Sequence, residues 1–197
     1  GGAYIAWSEF TSGLTNNVGF ARSADDGATW SEPIRVSPDD FLTPDLVLGD
    51  DRIHAFPGLA VDRSHGRHRG NVYIAYASND ALDGSDIVLQ RSTDHGTTFS
   101  PPVVLSSRPG ADRSQWFPWT TVDNLTGRVF VFYYDQGVAT SGDLTQVTFT
   151  FSSDDRATFL HHLPFTQRPF PAGFCHATAH PRPAASTPIA PHHRDSP

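Results

Sequence analysis

Three octapeptides in this 197-residue sequence repeat one pattern, Ser-x-Asp-x-Gly-x-Thr-aromatic, and no other feature restricts its fold so tightly. They run from Ser23 to Trp30, from Ser92 to Phe99 and from Ser152 to Phe159, with Arg156 at the glycine position of the third. Asp25 and Asp94 lie 69 residues apart, and Asp94 and Asp154 lie 60 apart. A period of that size marks a chain built from similar supersecondary units placed side by side.

The flanks repeat with the boxes. Val18 to Arg22, Ile87 to Arg91 and Val147 to Phe151 precede them. Earlier still come Ala3 to Trp7, Val72 to Tyr76 and Val129 to Tyr133. Glu32 to Ser37 and Pro101 to Ser106 follow the first two boxes, and Phe56 to Asp62 matches Phe117 to Asp123. These runs are short, rich in β-branched and aromatic residues, and bounded by Gly, Pro, Asn and Asp, so they read as strands. No stretch carries a helical period.

Four strands per unit make a propeller blade. The expected order is an inner strand A (Phe56 to Asp62), B (Asn71 to Ala77), C (Asp86 to Arg91), the box, then D (Pro102 to Ser106). The box then forms the C–D turn. Its glycine supplies positive φ, its Asp accepts backbone N–H groups across the turn, its Thr hydroxyl adds a local bond, and its aromatic ring tucks against the blade.

On these motifs the chain resembles the Asp-box (BNR-repeat) propellers, of which sialidases are the best-known members. The resemblance covers residues 1 to 160 and implies an all-β fold, a β-propeller of the sialidase type with about three four-stranded blades, a partial ring. It also implies a sialidase-like glycoside hydrolase of the exo-α-sialidase type acting on glycans, inactive by itself. The alternative is a non-catalytic propeller that binds glycan or protein through its loop face; a purely structural spacer is a third reading. The remaining blades of a parent propeller are the implied partners, and an extracellular or cell-surface location is implied for that parent.

Blade order sets the faces. B–C and D–A loops share one end, and the boxes lie at the other, so Ser23, Asp25, Gly27, Trp30, Ser92, Asp94, Gly96, Phe99, Ser152, Asp154 and Phe159 are read as structural. One carboxylate per turn is too few for a Ca²⁺ site. The loop face carries many carboxylates, Asp135 among them. By the resemblance, Glu9, Asp80 and Asp83 are the acid/base candidates, and Arg52, Arg113 and Trp116 the substrate-binding ones, with Trp119 a further stacking candidate. The family's first arginine stands in a Phe-Arg-Ile-Pro motif opening strand A. Here the matching positions, two before Pro57 and Pro118, hold Ala55 and Trp116. Its Tyr–Glu nucleophile pair has no counterpart, since Glu9 and Glu32 are the only glutamates.

Composition excludes other classes. Net charge is −7 and all 14 basic residues are Arg, without the basic stripe of a nucleic-acid binder. No apolar run is long enough to span a bilayer as a helix. One cysteine, Cys175, rules out an internal disulfide. No metal site or cofactor is expected. His65 and His68 fall in an A–B turn, and Asn124-Leu125-Thr126 forms an N-glycosylation tripeptide in another. Residues 161–197 read as a Pro/His-rich tail, disordered or frame-disrupted: from Leu160 on, eight prolines and six histidines accompany a single acid, Asp195. Phe170-Pro171 echoes the Phe-Pro of strand A. An incomplete ring leaves unpaired edges, from which self-association is expected.

Overall fold

The computed structural model describes residues 2–10, 16–37, 56–78, 85–106, 114–137, 144–154 and 158–171. The described residues are all-β, without a helix, and form three antiparallel sheets.

The first sheet has the order β1 (Ala3–Phe10), β2 (Asn16–Ser23), β3 (Ile34–Arg35). The second runs β4 (Gly58–Val61), β5 (Val72–Ser78), β6 (Asp86–Ser92), β7 (Val103–Val104). The third runs β8 (Gln115–Val122), β9 (Val129–Asp135), β10 (Leu144–Asp154), β11 (Thr158–Pro164), with β12 (Phe170–Pro171) also paired to β10. Each sheet is a meander in sequence order, the connectivity of a propeller blade, and the A, B, C and D strands fall where the sequence places them. Two differences matter.

First, the third blade continues past the boundary at 160, which falls inside β11. Phe165 N donates to Val147 O at 2.8 Å, as Val36 N does to Val18 O (2.8 Å) and Leu105 N to Ile87 O (2.7 Å). One residue on, a hydroxyl accepts from the same residue's N–H: Ser37 from Val18 (3.1 Å), Ser106 from Ile87 (2.6 Å), Thr166 from Val147 (3.2 Å). Ser37, Ser106 and Thr166 each stand 14 residues after the box serine. Second, Phe170-Pro171 pairs outside β10, opposite Thr145 and Leu144, and does not open another inner strand. Residues 172–197, most of the expected tail, lie outside the described residues.

The core lies between blades. Val72, Ile74 and Tyr76 alternate along β5 with Tyr73, Ala75 and Ala77, and all six are buried, so both faces of the central blade are covered. In β9, Val129, Val131 and Tyr133 are buried while Phe130, Phe132 and Tyr134 are half-buried. That period-2 split is what one covered face produces. Burying a Phe or Ile side chain contributes about 1.5–3 kcal/mol, so these alternations set the register of the outer blades.

Candidate functional site

Strand alternation sends the box turns to one end of the blades and the strand ends at Glu9, Asn17, Ser78, Asp86, Gln115 and Asp135 to the other. The two ends have different chemistry.

At the box end the carboxylates are consumed by their own turns. Asp25 Oδ1 accepts from Thr29 N (2.9 Å) and Ser23 Oγ (2.7 Å), and Oδ2 from Thr29 Oγ1 (2.6 Å). Asp94 does the same with Thr98 and Ser92 at 2.9, 2.7 and 2.6 Å. Ser23 and Ser92 hydroxyls accept in turn from Gly27 N and Gly96 N. These bonds favour the ionised acid: Asp25 is lowered to about 2, by the Thr29 hydroxyl foremost, and the Thr98 hydroxyl likewise holds Asp94 well below the usual range. Two consecutive residues take positive φ, Asp26 (59°) with Gly27 (93°) and His95 (57°) with Gly96 (80°). The pattern shows only the glycine; Asp and Asn-like residues tolerate the left-handed region, and His95 joins them.

The third copy differs. β10 continues through Ser152 and Ser153 to Asp154, which pairs with Thr158, so strand pairing extends where the first two copies turn. Ser152 Oγ accepts from Val129 N at 3.0 Å. Phe99 and Phe159 pack against the core, whereas Trp30 is 47% exposed.

At the opposite end, buried polar side chains tie the second and third blades together. Ser85 Oγ donates to Gln115 O (2.7 Å), and Gln115 N donates to Ser85 O (2.7 Å). Ser106 Oγ bridges Asp86 Oδ1 (3.1 Å) and Gln115 Oε1 (3.2 Å). Gln115 Nε2 donates to Asp135 Oδ1 (3.1 Å), which also receives Gly137 N (2.6 Å). Asp86 and Asp135 are 5% and 1% exposed, so two buried carboxylates sit on one chain of hydrogen bonds. Thr148 Oγ1 reaches Asp135 Oδ2 at 3.5 Å, and Ser114 N donates to Gln136 Oε1 at 3.3 Å. Beside this chain lies an aromatic group. Trp116 stacks on Tyr134 (5.8 Å between centroids, 14°), Phe117 meets Tyr134 edge-on, and Phe56 stacks on Phe117. Phe117 has φ 49° where the β8–β9 register shifts between Trp116 and Trp119, an unfavourable angle for a bulky residue.

The sequence candidates are distributed as follows. Glu9 is exposed and lies within β1, opposite Asn17 in β2. Trp116 is 2% exposed, so its ring supports Tyr134 from beneath; Trp119 is 72% exposed. Asp80, Asp83, Arg52 and Arg113 lie outside the described residues. Asp86 and Gln115 are the residues that sequence reasoning passed over. A signal exists for the first: a polar side chain, Asn17, Asp86 or Gln146, stands six residues before each box serine. Among the described residues no group of three His, Cys, Asp or Glu is gathered to hold a metal. His68 Nε2 lies 3.0 Å from Arg67 Nε, and the Tyr133 hydroxyl is bonded to His162 Nδ1.

No family model matches the sequence, and no curated protein does. Solved structures do. A Hadza microbial sialidase matches with a TM-score of 0.58 and 16% identity, over 83% of this chain and 35% of its own. The α-L-arabinanase of Penicillium chrysogenum, complexed with arabinobiose, matches at 0.54 and 22%, over 87% and 48%. The α-L-arabinofuranosidase of Fusarium graminearum, also with arabinobiose, matches at 0.55 and 18%, over 85% and 46%. The fold is therefore that of the β-propeller of sialidases and arabinanases, and the chain spans less than half of each of these proteins.

Proposed function

We propose that this chain is part of a sialidase-like glycoside hydrolase of the exo-α-sialidase type, that its sugar-facing end is the end opposite the boxes, and that it does not turn over substrate alone. One observation carries the reading: the buried Asp86–Ser106–Gln115–Asp135 chain, with the Trp116–Tyr134–Phe117 rings beside it, gives that end a rigid rim. The described residues Ser85, Ser106, Ser114 and Gly137 lie on this rim, and segments 79–84, 107–113 and 138–143 adjoin them in the sequence. Sites of this kind carry their reactive groups on loops and their precision in the scaffold beneath. In this reading Asp80 or Asp83, on the loop between β5 and β6, or Glu9 on β1, is the acid/base. Arg52 and Arg113 bind the substrate carboxylate, and Trp116 acts from below as the floor. The parent acts outside the cell or at its surface.

The strand A positions favour a second reading, a glycan-binding propeller without catalysis. Ala55 and Trp116 stand where the family's arginine motif would place its cation.

The test is a panel of fluorogenic sialosides and arabinofuranosides, with a glycan array run beside it. We expect no hydrolysis by this chain and binding to sialylated glycans that Arg52→Ala and Arg113→Ala each weaken about tenfold. Sialoside hydrolysis would defeat the claim of inactivity. Binding that ignores both arginine changes would defeat the assignment of the face.

A further inference from the structure

Residues 63–70, in the turn that joins β4 to β5, read Arg-Ser-His-Gly-Arg-His-Arg-Gly. Three of the 14 arginines of a chain with net charge −7 fall in this stretch, and no acid does. The counterpart between β8 and β9, Asp123 to Arg128, carries one Asp and one Arg. The basic turn belongs to the central blade, both faces of which are covered.

Its backbone is fixed from within. Ser64 N donates to Asp62 Oδ1 (2.8 Å), Gly66 N to Ser64 Oγ (3.2 Å) and Gly70 N to Asp62 O (2.8 Å). Arg69 Nη1 donates to Arg63 O (2.9 Å) and Ser64 O (3.1 Å), so one of the cations braces the loop. A Cβ on Gly70 would enter the His95 ring, which seats the turn against the box of its own blade. Asp62, the nearest acid in the sequence, is buried, and Asp94 is held by Thr98 and Ser92. Arg63, His65, Arg67 and Arg69 are exposed, and so is His95 beside them.

The turn therefore presents cations on a fixed backbone and little else. It holds no Phe, Tyr or Trp on which a nucleic-acid base would stack, and no aliphatic side chain to enter a lipid layer. Guanidinium groups offer planar forks of N–H donors to oxyanions, and short basic runs form patches for heparin-like chains.

We propose that this box-end turn binds a sulfated polysaccharide, at a site separate from the sugar-facing loop end. Arg63 and Arg67 meet the sulfates, His65 and His95 flank them, and Arg69 keeps the turn in shape. One extended anionic chain engages several of these groups at once, which multiplies weak contacts. A parent held on such a chain by its box end keeps the loop end open, whether or not that end is catalytic.

Surface plasmon resonance of the full chain on immobilised heparin tests this in about 0.15 M salt, where charges interact over about 8 Å. Circular dichroism confirms that each variant is folded. The expected result is saturable binding that weakens as salt rises and that desulfated heparin does not reproduce. Arg63→Ala with Arg67→Ala weakens it about tenfold, the loss of two exposed ion pairs. Arg52→Ala with Arg113→Ala, the pair assigned to the sugar-facing end, leaves it unchanged. No binding at that salt, or binding that follows the second pair of changes and ignores the first, would overturn the proposal. So would equal binding to duplex DNA or to phosphatidylserine vesicles.

Discussion

Arg22 reaches across a blade boundary to Thr97: its Nη1 donates to Thr97 Oγ1 at 2.8 Å and to His95 O at 3.2 Å. The box of the second blade is thus fastened to strand β2 of the first, and Phe99 closes on Phe20 beside it. The turn is part of the seam between blades.

Unequal effects of one substitution in two boxes follow. Gly27→Ala loses only the ease of the left-handed conformation at φ 93°, about 1–2 kcal/mol. Gly96→Ala loses that and drives a Cβ to 2.5 Å from the buried Phe20 ring, adding about 1–3 kcal/mol of overpacking. Denaturant midpoints for the two variants should differ accordingly, with Gly96→Ala the less stable.

Acid should loosen the box turns. Asp25 is lowered to about 2 by its Thr29 and Ser23 bonds, and Asp94 is also well below its unfolded value. A depressed carboxyl contributes stability above its unfolded pKa, near 3.9, and loses it as pH falls toward the folded one. The loss therefore falls between about pH 4 and pH 2. Melting temperatures across that range should drop for the wild type and drop less steeply for Asp25→Asn with Asp94→Asn.

The buried chain at the loop end should behave as a unit. Asp135→Ala leaves the Gln115 amide and Gly137 N without their acceptor, a cost of about 1–3 kcal/mol. Gln115→Ala deprives Asp135 and the Ser106 hydroxyl of partners. A double-mutant cycle on urea unfolding should return a coupling of at least about 0.5 kcal/mol. Strict additivity would show that the two side chains act separately.

Truncation locates the end of the third blade. A chain ending at Thr166 keeps the Phe165 and Thr166 bonds to Val147 and should melt cooperatively. One ending at Leu160 removes most of β11 and leaves β10 with an open edge; it should melt at lower temperature or aggregate.

The first two blades were legible because their signals are local and redundant: alternating apolar runs, a hairpin glycine, and a box repeated at a fixed offset of 69 residues. The third D strand was not. Phe159 to Thr166 includes two histidines and a proline, a poor strand by composition, and what holds it is pairing to β10. Tertiary pairing outweighed propensity there. Asp86 and Gln115 escaped notice for a related reason. Each reads as a polar strand end, and only the meeting of two blades brings Gln115 of the third to Ser85 and Ser106 of the second. The tucked aromatic was legible for Phe99 and not for Trp30, since what covers the ring is the neighbouring blade.

The hydroxyls of Ser37, Ser106 and Thr166 act as a ruler. Each closes its blade 14 residues after the box serine, whatever residues fill the interval. A residue inserted within that interval carries the hydroxyl past the N–H it must meet. Segments 38–55 and 107–113 obey no such measure and already differ in length between blades. The box-to-hydroxyl interval is thus the part of the blade held to a fixed length, while the A–B connections at the box end, ten residues from β4 to β5 and six from β8 to β9, vary as the blade-to-blade segments do.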